Sequence, residues 1–251
     1  MAHTPVAIVT GCGKNRLGTF IAEALAHRGY RLVLPYLTSS RPVSELAARL
    51  QQQGAAAVAV QADLTDERSV IGLFETARHE FVRLDVLVTC AAIWQSKRLE
   101  DITADDVRRH FDANLLSTFL CCQHAGLAMV QQPEGGVIVT FGDWAICRPY
   151  LNYAAYFPSK GAVPTLTRCL AVELGTRNPR VRVNCIQPGP VLMPDEVDDD
   201  ERRAVVRATL VGRPGGPEPV VQAVLYLVDN DFVTGECLTV DGGRTIFAGP
   251  V

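Results

Sequence analysis

The 251-residue chain has no cysteine pairs at metal-binding or redox spacing, no cluster of basic residues, no internal repeat and no low-complexity tract. Its eight cysteines (Cys12, Cys90, Cys121, Cys122, Cys147, Cys169, Cys185 and Cys237) form no C-x-x-C motif, which argues against a disulfide framework or a structural zinc site. Several lie inside apolar segments and read as reduced, mostly buried thiols of a cytoplasmic protein. The net charge is only −3 and the acidic run at 195–201 reads as a solvated loop, so no nucleic-acid surface is expected. The N-terminus enters a strand-like run by Val6, leaving no room for a signal peptide, and no apolar stretch reads as long enough to span a bilayer. No metal site is expected.

What the chain does have is 48% apolar residues, enough to bury one full core. Short β-branched runs at 6–10, 31–36, 55–61, 85–90, 136–141, 180–186 and 236–240 alternate with helical patterns at 18–28, 42–53, 66–81, 103–130, 152–175 and 219–228. That alternation predicts an α/β fold, a single doubly wound domain over 1–251 with a seven-stranded parallel sheet. The irregular segment 188–216 has proline and glycine at its ends and a charged, helix-compatible middle, which suits a substrate lid at about 190–213. Pro158 fits near a helix start. Pro164 falls inside the pattern, where it costs roughly 3 kcal/mol unless the helix bends or breaks in two.

The first strand runs into Thr10-Gly11-Cys12-Gly13-Lys14-Asn15-Arg16-Leu17-Gly18 and then straight into a helical pattern. Glycines there allow a tight turn and close backbone approach, and the helix N-terminus offers free N–H groups to a pyrophosphate. Gly11, Arg16, Leu17 and Gly18 are therefore candidate dinucleotide contacts, with Lys14 adding charge. The second strand ends Leu34-Pro35-Tyr36-Leu37-Thr38-Ser39-Ser40-Arg41, without the acid that an NAD ribose normally meets. Tyr36, Thr38, Ser39 and an arginine suit a 2′-phosphate, so NADPH is favoured over NADH. Ser40 and Arg41 could equally cap the helix that begins near Pro42.

Tyr156 and Lys160 stand four apart, one helical turn, so that an ammonium can favour ionisation of the phenol. Asp143 stands thirteen positions before the tyrosine. An ionised carboxylate cannot donate to a developing alkoxide, but it can accept from a ring N–H of a heterocycle whose imine carbon takes hydride. The other readings of Asp143 are a helix cap or a partner for Lys160. Trp94, after the fourth strand, reads as either a substrate wall or core packing.

Taken with Asp63-Leu64 after the third strand, Asn114 in the long helix, Pro188-Gly189 after the sixth strand and Val240-Asp241-Gly242-Gly243 near the end, these motifs make the chain resemble the short-chain dehydrogenase/reductase family over nearly its whole length. The resemblance implies a catalytic set of Asn114, Tyr156 and Lys160, with Asp143 in the usual serine position. It also implies cofactor contacts from Asp63, Leu64, Ala91, Pro188, Gly189 and Val191, besides Tyr156 and Lys160. Two family features are altered: a glycine of the first turn is replaced by Arg16, and the usual N-N-A-G reads Thr89-Cys90-Ala91-Ala92.

Pteridine reductases and dihydromonapterin reductase-like members are similar in carrying the arginine, the aspartate, a second tyrosine matching Tyr153, and an aromatic residue matching Trp94. By that likeness Trp94, Asp143, Tyr153 and Leu192 are candidate substrate contacts. Tyr153 also stands seven before Lys160, the spacing of the related enoyl-thioester reductases. The function expected is hydride transfer from NADPH to a small pteridine-like or carbonyl substrate. The alternatives are a 3-oxoacyl-thioester or general carbonyl reductase, and a non-catalytic NADP-binding regulator. The resemblance further implies a homotetramer or homodimer built on the two long helices, with the tail at 245–251 packing across subunits.

Overall fold

The computed structural model describes residues 4–13, 16–193 and 198–247, without the side chain of Glu201. Lys14, the middle of the expected lid at 194–197 and the last four residues lie outside that set. Seven strands form one parallel sheet: β1 (Val6–Thr10), β2 (Arg31–Tyr36), β3 (Ala57–Gln61), β4 (Val86–Thr89), β5 (Gly136–Phe141), β6 (Val181–Pro188) and β7 (Cys237–Val240). Their order across the sheet is β3-β2-β1-β4-β5-β6-β7, with β1 paired in parallel to both β2 and β4. The central strands are apolar without alternation because both faces are covered. Every residue of β1 and β4 is buried.

The helices are α1 (Leu17–His27), α2 (Ser40–Gln52), α3 (Glu67–Phe81), α4 (Ala104–Phe111), α5 (Ser117–Val130), α6 (Tyr156–Gly175), α7 (Asp199–Arg207) and α8 (Glu218–Asp229). On one face Ile21 and Leu25 of α1, Leu46 and Leu50 of α2, and Val224 and Leu227 of α8 pack on Val9, Leu32 and Val139. On the other, Leu73 of α3, Met129 of α5 and Leu174 of α6 pack on Ile8, Leu87 and Ile138. The order reverses between β1 and β4, and a doubly wound sheet opens its ligand crevice at the carboxyl ends of such strands.

Four expectations are corrected. The pattern at 103–130 is α4 and α5 joined by a π-helical turn, Asp112–Leu116. Its 27 residues, Ala104–Val130, are long and apolar enough to cross a bilayer, contrary to the reading from sequence. Half of the apolar window is buried inside the fold, where α5 covers β4 and β5, which accounts for its composition. The pattern at 152–175 is helical only from Tyr156, because Asn152 takes a left-handed conformation (φ 70°) that a helix cannot include. From there α6 runs unbroken through Pro164. Finally, four cysteines are buried, two are half-buried, and Cys147 and Cys169 are exposed.

Candidate active site

A groove of about 290 Å³ opens at the carboxyl ends of β1, β2, β3 and β4. It is lined by Gly11, Arg16, Tyr36, Thr38, Ser39, Asp63, Leu64 and Ala91 among others, eight of the expected cofactor residues. The glycines fit the reading of a phosphate cradle. Gly11 has φ +74°, and a methyl group there would lie 2.7 Å from the carbonyl carbon of Cys90. On Gly18 it would lie 2.6 Å from the Thr10 carbonyl oxygen, so this first turn of α1 packs directly against the strand end. Arg16, at the N-cap of α1, gives that helix end no side-chain hydrogen bond, which leaves amide groups for an anion. Leu17 packs toward the core from the same turn.

Ser39 and Arg16 approach one another across Gly13: a methyl group on that glycine would sit 3.4 Å from Ser39 Oγ and 3.7 Å from Arg16 Cγ. Arg41 does not join them. It pairs with Glu45 one turn along the surface of α2, Nε to Oε1 2.8 Å. Asp63 turns its carboxylate onto its own loop, accepting from the amide and hydroxyl of Thr65 at 2.9 and 2.7 Å. Pro188, Gly189 and Val191 follow at the end of β6. The Gly189 amide donates to the Val240 carbonyl at 2.9 Å, and a methyl group on Gly189 would meet Asp241 Cα at 2.6 Å. Leu192 is half-buried just beyond.

Tyr156, Lys160, Asp143 and Asn114 are brought together beside this groove, and all but Asp143 are fully buried. The Tyr156 hydroxyl donates to Asp143 Oδ2 at 2.7 Å. Asp143 Oδ1 accepts from the Ala145 amide at 2.8 Å and so caps the short helix Trp144–Ile146; it is both a cap and a tyrosine partner. Lys160 Nζ donates to the Phe141 carbonyl at 2.6 Å. Asn114 is carried on the π-helical turn, a one-residue bulge of the kind often found at functional sites. It exchanges hydrogen bonds with Ile93, Oδ1 from its amide at 2.8 Å and Nδ2 to its carbonyl at 3.1 Å, and its Nδ2 also donates to Ser159 Oγ at 3.0 Å.

Burial, then the charge of Asp143 and the bond to it, push the Tyr156 phenol well above its ordinary value. Burial likewise raises the Asp143 carboxyl, opposed by the bonds from Ala145 and Tyr156. Burial lowers Lys160, with Asp143 opposing. The expected easing of phenol ionisation by Lys160 is therefore not met in this geometry. The carboxylate beside the phenol dominates, because it is hydrogen-bonded to it whereas the ammonium is held by a backbone carbonyl.

An aromatic wall stands over these groups. Trp94, 45% exposed, stacks on Tyr153 with ring centroids 5.0 Å apart and planes 12° apart, so it is a surface wall and not core packing. Tyr153 meets Tyr156 edge to face at 6.2 Å. Tyr150, which sequence reasoning missed, meets Tyr153 and Phe157 at 5.1 and 5.0 Å. Its signal was the tyrosine three residues before Tyr153. His110 and Ser159 were missed as well: His110 sets its ring edge against Tyr156 at 6.2 Å, and its place one turn before Asn114 was the available clue. Residues 244–247 pack back on the fold, where the Arg148 guanidinium donates to the Arg244 and Phe247 carbonyls at 3.0 and 2.5 Å and Arg244 lies over Trp144. Among the described residues no three His, Cys, Asp or Glu cluster as a metal site.

A family profile described as enoyl-(acyl carrier protein) reductase matches residues 12–245. The chain is 32% identical over 248 residues to 3β-hydroxysteroid dehydrogenase 1 of Eggerthella lenta, covering 96% of this chain and 94% of that one. It is 31% identical over 260 aligned positions to hydroxynaphthalene reductase-like protein Arp2 of Metarhizium brunneum, with 95% and 94% coverage. Among solved structures, acetoin dehydrogenase from Enterobacter cloacae superposes with a TM-score of 0.87 at 31% identity, covering all of this chain and 98% of that one. Fold, motif order and these likenesses converge: the chain belongs to the short-chain dehydrogenase/reductase family and is an NAD(P)-dependent oxidoreductase.

Proposed function

We propose that the enzyme is an NADPH-dependent reductase of a planar, pteridine-like heterocycle. The observation that carries this reading is the 2.7 Å bond from Tyr156 to Asp143, a carboxylate held beside the proposed proton donor. A carboxylate accepts ring N–H groups and repels an alkoxide, so it favours a C=N or conjugated substrate. A bound nicotinamide supplies the hydride. Tyr156 holds the proton, Asp143 orients the ring and returns hydrogen-bonding capacity to the phenol, and Lys160 and Asn114 fix the floor of the site. The stacked Trp94 and Tyr153 offer a flat apolar wall. Residues 190–213 form the lid of this reading, and α5 and α6 the contacts of a homotetramer or homodimer.

A carbonyl substrate on a fused aromatic ring is the second reading, favoured by the same wall together with the likeness to a protein named for hydroxynaphthalene reduction. For the cofactor, Arg16 and Ser39 at one corner of the groove, with no acid at the end of β2, support NADPH. Oxidation of NADPH and NADH with dihydropterins, fused aromatic ketones and acetoacetyl thioesters tests all three points. Turnover is expected with NADPH and a dihydropterin, and Arg16→Ala should weaken NADPH at least tenfold with little change for NADH. Equal use of both nucleotides by the parent enzyme would refute the cofactor assignment, and turnover of ketones alone would refute the substrate.

A further inference from the structure

Cys185 and Cys237 are directly opposite one another in the parallel pair β6–β7. Opposed residues of neighbouring strands project to the same face, and the strands stand about 4.8 Å apart, inside the roughly 4.4–6.8 Å separation that a disulfide bridges. The pair lies on the α6 face of the sheet. Cys185 is fully buried, and a methyl group built on Gly142 would sit 3.4 Å from its sulfur and 3.7 Å from Pro164 Cγ of α6. Cys237 is half-buried on the edge strand of the sheet.

We propose that Cys185 and Cys237 form a redox-active dithiol, which a hydroperoxide closes into a cross-strand disulfide. The nucleophile is Cys185. The Cys237 thiol opposite it holds it below the ordinary thiol value, against the cost of burial, and Thr140, the Gly142 amide and the Lys160 ammonium add to that. The neighbouring Cys185 and burial raise Cys237. In its thiol form Cys185 has only a long contact to the Ile186 carbonyl, 3.5 Å. The Cys185 thiolate attacks one peroxide oxygen, the O–O bond breaks, and hydroxide leaves and is protonated to water. The Cys237 sulfur then attacks the Cys185 sulfenic acid, the S–O bond breaks, and a second water departs with the Cys237 proton. Two thiols lose two electrons and the peroxide gains them. The thiolate charge beside Lys160 is lost in the same step, so the bond reports to the catalytic floor.

The full-length protein treated with a few equivalents of hydrogen peroxide at pH 7, blocked with N-ethylmaleimide and digested with trypsin, tests the assignment. The two cysteines fall on different tryptic peptides, 183–202 and 208–244. The expected product is that peptide pair joined through sulfur, released by dithiothreitol, from a chain that stays monomeric on a denaturing gel without reductant. In Cys237→Ser the Cys185 sulfenic acid should accumulate and be trapped by dimedone. Full maleimide labelling of Cys185 and Cys237 after peroxide, oxidation confined to the exposed Cys147 and Cys169, or absence of a dimedone adduct on Cys185 in Cys237→Ser would each overturn the proposal.

Discussion

Asp143 answers two partners with one carboxylate, one oxygen for the backbone of the turn after β5 and the other for the Tyr156 hydroxyl. Its burial makes the ionised form costly, so its folded pKa lies above the unfolded one. A carboxyl raised in this way is protonated in both states well below its unfolded pKa, and folding stability is lost as pH climbs from there through the folded pKa. Asp143→Asn removes the charge. Unfolding in urea should show the variant gaining stability relative to the parent at pH 7 and losing that gain at pH 3. The same charge raises the phenol, so the basic limb of kcat/KM against pH should move to lower pH in the variant; an unmoved limb would separate Asp143 from the proton donor. Tyr156→Phe removes the proposed donor and should lower kcat by about 10²- to 10⁴-fold, with NADPH still quenching protein fluorescence. Tyr153→Phe keeps its ring on Trp94 and should retain most of the rate. The reverse pattern would move the catalytic role to Tyr153.

Among the elements, α6 carries the proposed proton donor and a defect together. Pro164 cannot donate to the Lys160 carbonyl, one turn behind it, yet the helix continues to Gly175. The proline is buried, which recovers part of the cost. Pro164→Ala restores the donor and should raise stability by up to about 3 kcal/mol in chemical denaturation. A lower midpoint would mean that packing of the ring outweighs the missing bond. Strand and helix positions were legible in the sequence because β-branched runs and amphipathic periods differ in repeat. The start of α6 was not, since asparagine at 152 tolerates both helix and the left-handed turn it adopts. The π-helical turn was hidden for another reason: one extra residue within an apolar stretch leaves no mark on hydropathy. The glycine turn and the Tyr156–Lys160 spacing were plain, whereas the dominance of Asp143 over Lys160 depends on distances that no spacing encodes.

At the scale of the molecule, Leu116 at the end of the π-helical turn, Phe119 and Leu127 of α5 and Val172 of α6 stay accessible. Large apolar side chains left accessible on neighbouring helices are a usual ground for self-association. Sedimentation should give a tetramer or dimer, and Phe119→Glu combined with Leu127→Glu should shift it to smaller species with the fold intact by circular dichroism; a monomeric parent would refute the assembly. The extra residue at Asp112–Leu116 bears on the history of such a chain. A π turn carries one more residue through nearly the same rotation as an α turn, so removing that residue would leave α5 in phase with the sheet, with Cys121, Cys122, Ala125 and Met129 still on its inner face. What would go is the local backbone that aims Asn114 at Ile93 and Ser159. The bulge can therefore be gained or lost by one residue without unmaking the helix around it, and the site changes while the core stands.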